Sequence, residues 1–291
     1  MTQPKNRPFS IRIFLPDGTS DGLRIIEKSN WSGRGLVCPR PLLPSARSRP
    51  DFGKAGVYVL AGPPESGGLP KVYIGEGSPV GARLEQHFAR RDFWTTATFF
   101  TSKDENLNKA HIQYLEARLI GLAKDAKRCD LENATAPDLP ALSEMDAADV
   151  EGFLDEMLLC LPVLGVTVFE KPAAVAPPAA QVLLLKGKDA EGKGYEAAQG
   201  FVVLAGARAR ADEVPSIDNY VSQRRKSLLG LGVLKPDGTA LLLAQDYTFD
   251  SPSTAAAVLL GRTANGRIEW KDGQGHTLKE IQAGEAGGAS T

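Results

Sequence analysis

The ten residues Lys171 to Ala180, reading KPAAVAPPAA, constrain this chain more than any other segment. Proline fixes φ and removes a backbone donor, and alanine offers almost no packing surface, so the segment can neither join a sheet nor build a core. It reads as a stiff, extended connector, and the 291-residue chain must build one core on each side of it. The expected fold class is α+β on both sides. The expected organisation is a β element over 1–51, a module with a helical extension over 52–170, the connector over 171–180, a smaller α+β domain over 181–281 and a disordered tail over 282–291.

Within the first part, Ile11 to Leu15, Gly22 to Glu27 and Gly35 to Cys38 read as short strands separated by turn signals. Gly56 to Leu60 and Lys71 to Gly75 are β-prone runs joined by a Gly/Pro-rich loop. Ser78-Pro79 then opens a helix carrying Val80, Leu84 and Phe88 at helical spacing. Trp94 to Phe100 is a third strand, and Ser102 to Arg128 a longer helix, so the local order is β-β-α-β-α. Beyond it a helical stripe runs from Val150 to Leu161, and Val163 to Phe169 reads as a strand. After the connector come strands at Val182 to Leu185, Gly200 to Leu204 and Leu241 to Ala244. Helices follow at Ile217 to Leu229 and from Ser251-Pro252 to Gly261.

Charge is unevenly spread. Residues 1–128 carry 20 Lys+Arg against 12 Asp+Glu, whereas residues 129–180 carry 1 against 10. A basic first part suits a phosphate-bearing partner. Cys38, Cys129 and Cys160 are odd in number and widely spaced, with no CxxC, which points to small buried side chains in a reducing compartment. The longest apolar runs fall far short of the ~20 residues a spanning helix needs. The N-terminus MTQPKNRPFS has no export pattern, so the cytoplasm is the expected compartment.

One residue breaks the amphipathic pattern of the long helix. At 100° per residue, Ile112, Leu115, Leu119, Ile120 and Ala123 share one face, and Glu116 falls inside it. An ionised carboxylate on a buried face needs a cation, a metal or a proton. A structural ion pair with an arginine meets that need as well as a metal does. One helix earlier, Arg83 and His87 stand one turn apart, with Arg90 extending the row. Arginine suits the non-bridging oxygens of a phosphodiester, and a carboxylate suits a divalent cation. His111 lies about 140° from Glu116 on the wheel and reads as a surface or supporting residue.

Gly56-Val57-Tyr58 and Tyr73-Ile74-Gly75, followed by Arg83 with His87 and then Glu116, resemble the ordered motifs of the GIY-YIG nuclease family. The resemblance covers about residues 54 to 130. It implies a metal-dependent endonuclease acting on nucleic acid, with DNA the expected partner. In that family's pattern Glu116 would hold Mg²⁺ or Mn²⁺, and Tyr58 or Tyr73 would activate or position water. Arg83 would stabilise phosphate charge, and His87 would assist proton transfer or contact phosphate. The resemblance equally allows a non-cleaving nucleic-acid-binding or regulatory module. Glu76, directly after the second tripeptide, departs from the family's usual basic or small residue. Asn133 stands where the family keeps an asparagine after its glutamate helix. Residues 181–281, with Phe249 to Ala256, Gly261 to Gly266 and Glu269-Trp270, resemble an accessory domain found after such modules and in restriction-modification proteins. A DNA-recognition role and a packing role both fit it.

Overall fold

A computed structural model describes residues 8–64, 67–135, 137–172 and 181–288. Two compact units emerge, residues 1–63 with 70–170 and residues 64–69 with 171–291. Most of the connector read from the sequence, 173–180, lies outside the described residues. Both units are mixed α+β. Among the described residues no helix is long and apolar enough to cross a membrane.

The first unit is built on a seven-stranded sheet. Its strands are β1 (Ile11–Phe14), β2 (Arg24–Lys28), β3 (Gly33–Pro39), β4 (Gly56–Gly62), β5 (Lys71–Gly77), β6 (Thr96–Ser102) and β7 (Asp130–Leu131). Their spatial order is β1-β2-β3-β6-β4-β5-β7, antiparallel except for the short parallel pair β5/β7. The helices are α1 (Leu43–Ala46), α2 (Val80–Arg90), α3 (Lys109–Ala126) and α4 (Glu144–Cys160). Strand β4 is buried on both faces, which is why it reads as a nearly unbroken apolar run. Val57 and Val59 join Val72, Ile74, Ile112 and Leu115 in a core under α3 and α4. Tyr58 and Leu60 join Val80 and Leu84 in a second core under α2. Alternation along one strand thus sends each successive side chain to a different helix.

The β element over 1–51 joins the module's sheet, because β3 pairs with β6 from Gly33↔Ser102 to Pro39↔Thr96 and closes what would otherwise be an exposed edge. Two sequence expectations need correcting here. Val163 to Phe169 forms no strand. Pro162 opens a 3₁₀ turn there, and Gly165, at φ 85°, reverses the chain. The long helix starts at Lys109 rather than Ser102, since Asn108 accepts the His111 amide hydrogen bond and caps it. All three cysteines are free and buried.

The second unit carries strands β8 (Leu183–Gly187), β9 (Ala190–Ala197), β10 (Gly200–Val203), β11 (Arg208–Arg210), β12 (Leu234–Asp237), β13 (Ala240–Leu243) and β14 (Tyr247–Phe249). They form one sheet in the order β12-β13-β11-β9-β10-β14, with β8 also paired to β9. Helices α5 (Asn219–Gly230), α6 (Pro252–Leu260), α7 (Gly266–Glu269) and α8 (Leu278–Gly288) complete it. Helix α6 is the centre of the core, with Ala255 to Leu260 all buried. Ser251 caps its start, and Gly261, at φ 62°, ends it. The tail expected to be disordered over 282–291 is helical as far as Gly288, and residues 289–291 lie outside the described residues.

Helix α5 carries Arg224, Arg225 and Lys226 in succession, and the two arginines are buried. Arg224 is buried and pairs with Asp250 at 2.9 Å. Arg225, 1% exposed, binds Glu213 and the carbonyls of Val258, Arg210 and Ala211. Its planar fork satisfies several acceptors that no apolar side chain can replace. Arg225→Leu is expected to cost ~3 to 5 kcal/mol, because it strands Glu213 and three carbonyls. Urea denaturation of the two full-length proteins measures this, and a loss below about 1 kcal/mol would mark the arginine as a dispensable surface pair.

Candidate active site

The β4–β5 pair sets the geometry. Its register places Tyr58 opposite Gly75 and Leu60 opposite Tyr73, so both tyrosines lie on the α2 face with ring centroids 6.3 Å apart. Gly75 is required where it stands, since a Cβ there would come within 2.3 Å of the Tyr58 hydroxyl oxygen. Gly81 lets α2 settle against the Phe52 carbonyl, which a Cβ would approach to 2.8 Å. Helix α2 then delivers His87 between the tyrosines. Its Nε2 lies 2.7 Å from the Tyr58 hydroxyl, and its ring centroid lies 4.8 Å from that of Tyr73. Arg83, one turn earlier, is exposed and donates to Gln86 Oε1 at 2.8 Å. Its positive charge acts on the Tyr58 hydroxyl and opposes the rise of the phenol's pKa.

Burial and charge fix the protonation states. His87 is only 8% exposed, and burial, with the charges of Arg91, Arg83 and Arg90, pushes its pKa down to about 4. The imidazole is therefore neutral at physiological pH. Burial also raises the pKa of Tyr58, aided by Tyr73 and Glu116 and opposed by Arg83. The phenol is kept protonated and hydrogen-bonded.

Glu116 projects from α3 as a half-buried carboxylate. Among the described residues no hydrogen bond or ion pair takes it up, so the structural ion pair that its sequence position allowed is not there. Burial pushes its pKa up to about 7, the charge of Glu76 pushes the same way, and Lys109 and Arg83 oppose them. Arg83 and Glu116 both act on Tyr58, so these three groups lie within electrostatic reach of one another. Beside them Lys109 Nζ pairs with Glu76 Oε1, while the other Glu76 oxygen is buried without a hydrogen-bond partner. Among the described residues no three His, Cys, Asp or Glu side chains gather as a metal-holding group.

Asn133 supports the strand beneath. Its side-chain amide accepts from the Ile74 N–H at 2.9 Å and donates to the Ile74 carbonyl at 2.8 Å, extending the β5 edge where β7 stops. His111 sits apart, on the Asn106 carbonyl and Asn108 at the start of α3. Two neighbours of the site carried weak sequence signals. Lys109 stands two helical turns before Glu116, a spacing visible on the helical wheel. Arg91, rather than Arg90, covers the Tyr73 ring at 4.3 Å. The chain turns extended at Arg91, so helical spacing from Arg83 misses it.

His87 generates a pH prediction. Its folded pKa lies below its unfolded value of about 6.5, so the unfolded chain binds the proton more readily between pH 6.5 and 4. Stability from this residue is complete above pH 6.5 and is lost as pH falls toward 4. The His87 imidazole resonances should stay flat from pH 8 to 6 and move only near pH 4. A midpoint near 6.5 in NMR titration would show a solvated ring instead.

One family comparison matches part of the chain: residues 183–282 match DUF4357, a domain of unknown function. It covers the described core of the second unit, from β8 into α8, and leaves the tyrosine, arginine, histidine and glutamate cluster outside it. No curated protein and no solved structure matches the chain.

Proposed function

We propose that the first unit is a metal-dependent endonuclease of the GIY-YIG type that hydrolyses phosphodiester bonds of nucleic acid, with DNA as the substrate. The observation that carries this reading is the unpaired, half-buried Glu116 carboxylate in reach of Arg83 and of the Tyr58–His87 pair. A carboxylate held this way is costly unless a cation completes it. A divalent ion fits that requirement, because Glu116 has no cation bonded to it and an adjacent carboxylate oxygen, Glu76 Oε2, is buried without a partner. Bound at Glu116, Mg²⁺ or Mn²⁺ would neutralise charge on the scissile phosphate and the leaving oxygen.

The chain's own groups supply the rest. Arg83, exposed on α2 one turn before His87, is placed to take the non-bridging oxygens of an incoming phosphodiester. The Tyr58 oxygen then receives a hydrogen bond from the attacking water. Neutral His87 accepts the Tyr58 proton at Nε2, so the phenol oxygen can accept the proton of the water as it attacks. Tyr73, itself covered by Arg91, walls the imidazole and holds its ring in place. The DUF4357 domain is proposed as a positioning module for the same substrate, acting through residues other than the buried Arg224 and Arg225.

The ion pair between Lys109 and Glu76 favours a second reading, a non-cleaving nucleic-acid-binding module in which Glu76 is already neutralised by a lysine. Plasmid nicking with and without Mg²⁺ separates the two. Arg83→Ala should lower cleavage by two to three orders of magnitude, worth ~3 to 4 kcal/mol of transition-state stabilisation, and Arg90→Ala far less. Tyr58→Phe should cost more than Tyr73→Phe. Glu116→Gln should abolish Mg²⁺-dependent nicking while folding and nucleic-acid binding persist. Retained nicking in Glu116→Gln, or equal small losses at Arg83 and Arg90, would refute the assignment of this site, and wild-type protein that does not nick with Mg²⁺ would refute the nuclease reading.

A further inference from the structure

We propose that Glu76 is a second carboxylate ligand for the divalent cation at Glu116, and that Lys109 is the internal counter-ion which that cation displaces. The inference rests on the nuclease reading above and adds a ligand and a competing cation to it.

Strand alternation provides the first argument. Val72 and Ile74 of β5 pack into the core beneath α3, and Glu76 is the next residue on that same face. The period of α3 provides the second. Lys109 and Glu116 are seven residues apart, about 20° short of two full turns, so both project from one helix face. Since Lys109 reaches Glu76, that face is the one turned toward the end of β5. Two carboxylates, one from the strand and one from the helix, therefore converge on the same space. The charge of Glu76 acts directly on Glu116, as expected for such neighbours.

The two oxygens of Glu76 are not equivalent. Oε1 is bonded to the Lys109 ammonium, whereas Oε2 is buried with neither a hydrogen-bond partner nor solvent. A carboxylate oxygen left this way bears its full desolvation cost. Mg²⁺ and Mn²⁺ take one or two protein carboxylates and complete their shells with water and phosphate oxygens, so Glu76 with Glu116 is a sufficient protein contribution. Lys109 is well suited to leave. Its side chain is 57% exposed, and an exposed ion pair is weak enough for a doubly charged competitor to replace it. Once displaced, its ammonium is free for the nucleic-acid backbone.

The test measures Mn²⁺ binding to the full-length protein without nucleic acid, by calorimetry and by the electron paramagnetic resonance signal of free Mn²⁺. Thermal melts confirm that each variant is folded. Glu76→Gln should weaken Mn²⁺ by about tenfold or more, through loss of a charged ligand. Lys109→Met should tighten it severalfold, since the competing cation is gone. The opposite signs guard against a general loss of structure, which would weaken binding in both. Wild-type affinity in both variants, alongside lost binding in Glu116→Gln, would overturn the role of Glu76 and leave the nuclease reading standing. Weaker binding in Lys109→Met would overturn it too, by showing that the ion pair builds the site rather than competes for it. Unchanged affinity in all three variants would sink the metal reading altogether.

Discussion

Tyr58 and Gly75 face each other across the β4–β5 pair, and the volume a side chain at 75 would occupy is filled by the Tyr58 hydroxyl. That contact fixes the phenol, the phenol fixes His87 by a 2.7 Å hydrogen bond, and His87 anchors the helix that presents Arg83. None of these groups sits on a long loop. Their positions follow from strand register and from the burial of Val80 and Leu84 on the same helix. Precision of this kind, set by packed elements, is what a site for in-line chemistry needs.

Arg225 and Glu116 stand at opposite ends in how a buried charge is met. Arg225 is more buried than Glu116, yet it is fully complemented by Glu213 and three carbonyls and so consolidates its fold. Glu116 carries charge at a half-buried position without a partner, and its raised pKa expresses that cost. A structural role would have been met by placing an arginine at bonding distance. Under the nuclease reading proposed above, the open carboxylate would trade stability for the capacity to take up a cation.

Much of this arrangement was legible in the sequence, and the failures have identifiable causes. The β-β-α-β-α order and the buried position of Glu116 follow from periodicity, because their side chains face only one or two alternatives. The pairing of β3 with β6 did not follow, since strand partners so far apart in the chain, from Gly33↔Ser102 to Pro39↔Thr96, leave no local trace. Val163 to Phe169 misled because β-branched residues favour strands unless a proline and a left-handed glycine intervene. The burial of Arg224 and Arg225 left no sequence signal, because a sequence does not show that Asp250 and Glu213 lie opposite them. Arg91 lay just past a helix end, where helical spacing no longer predicts direction.

The charge asymmetry between residues 1–128 and 129–180 also changes meaning once the fold is known. Within the first unit the acidic stretch pairs with the basic one: Glu132 with Lys71 and Arg91, Glu151 with Arg118, Glu156 with Lys28, and Glu170 with Arg128. Five of the 20 basic residues of 1–128 are thereby neutralised within the unit by the acidic stretch that follows them. Counterion release scales with the number of phosphates neutralised, so each cation paired internally lowers the attraction for a polyanion. Under the nuclease reading, the first unit would grip the scissile phosphate through placed groups such as Arg83, with its remaining cations adding sequence-independent attraction to the backbone.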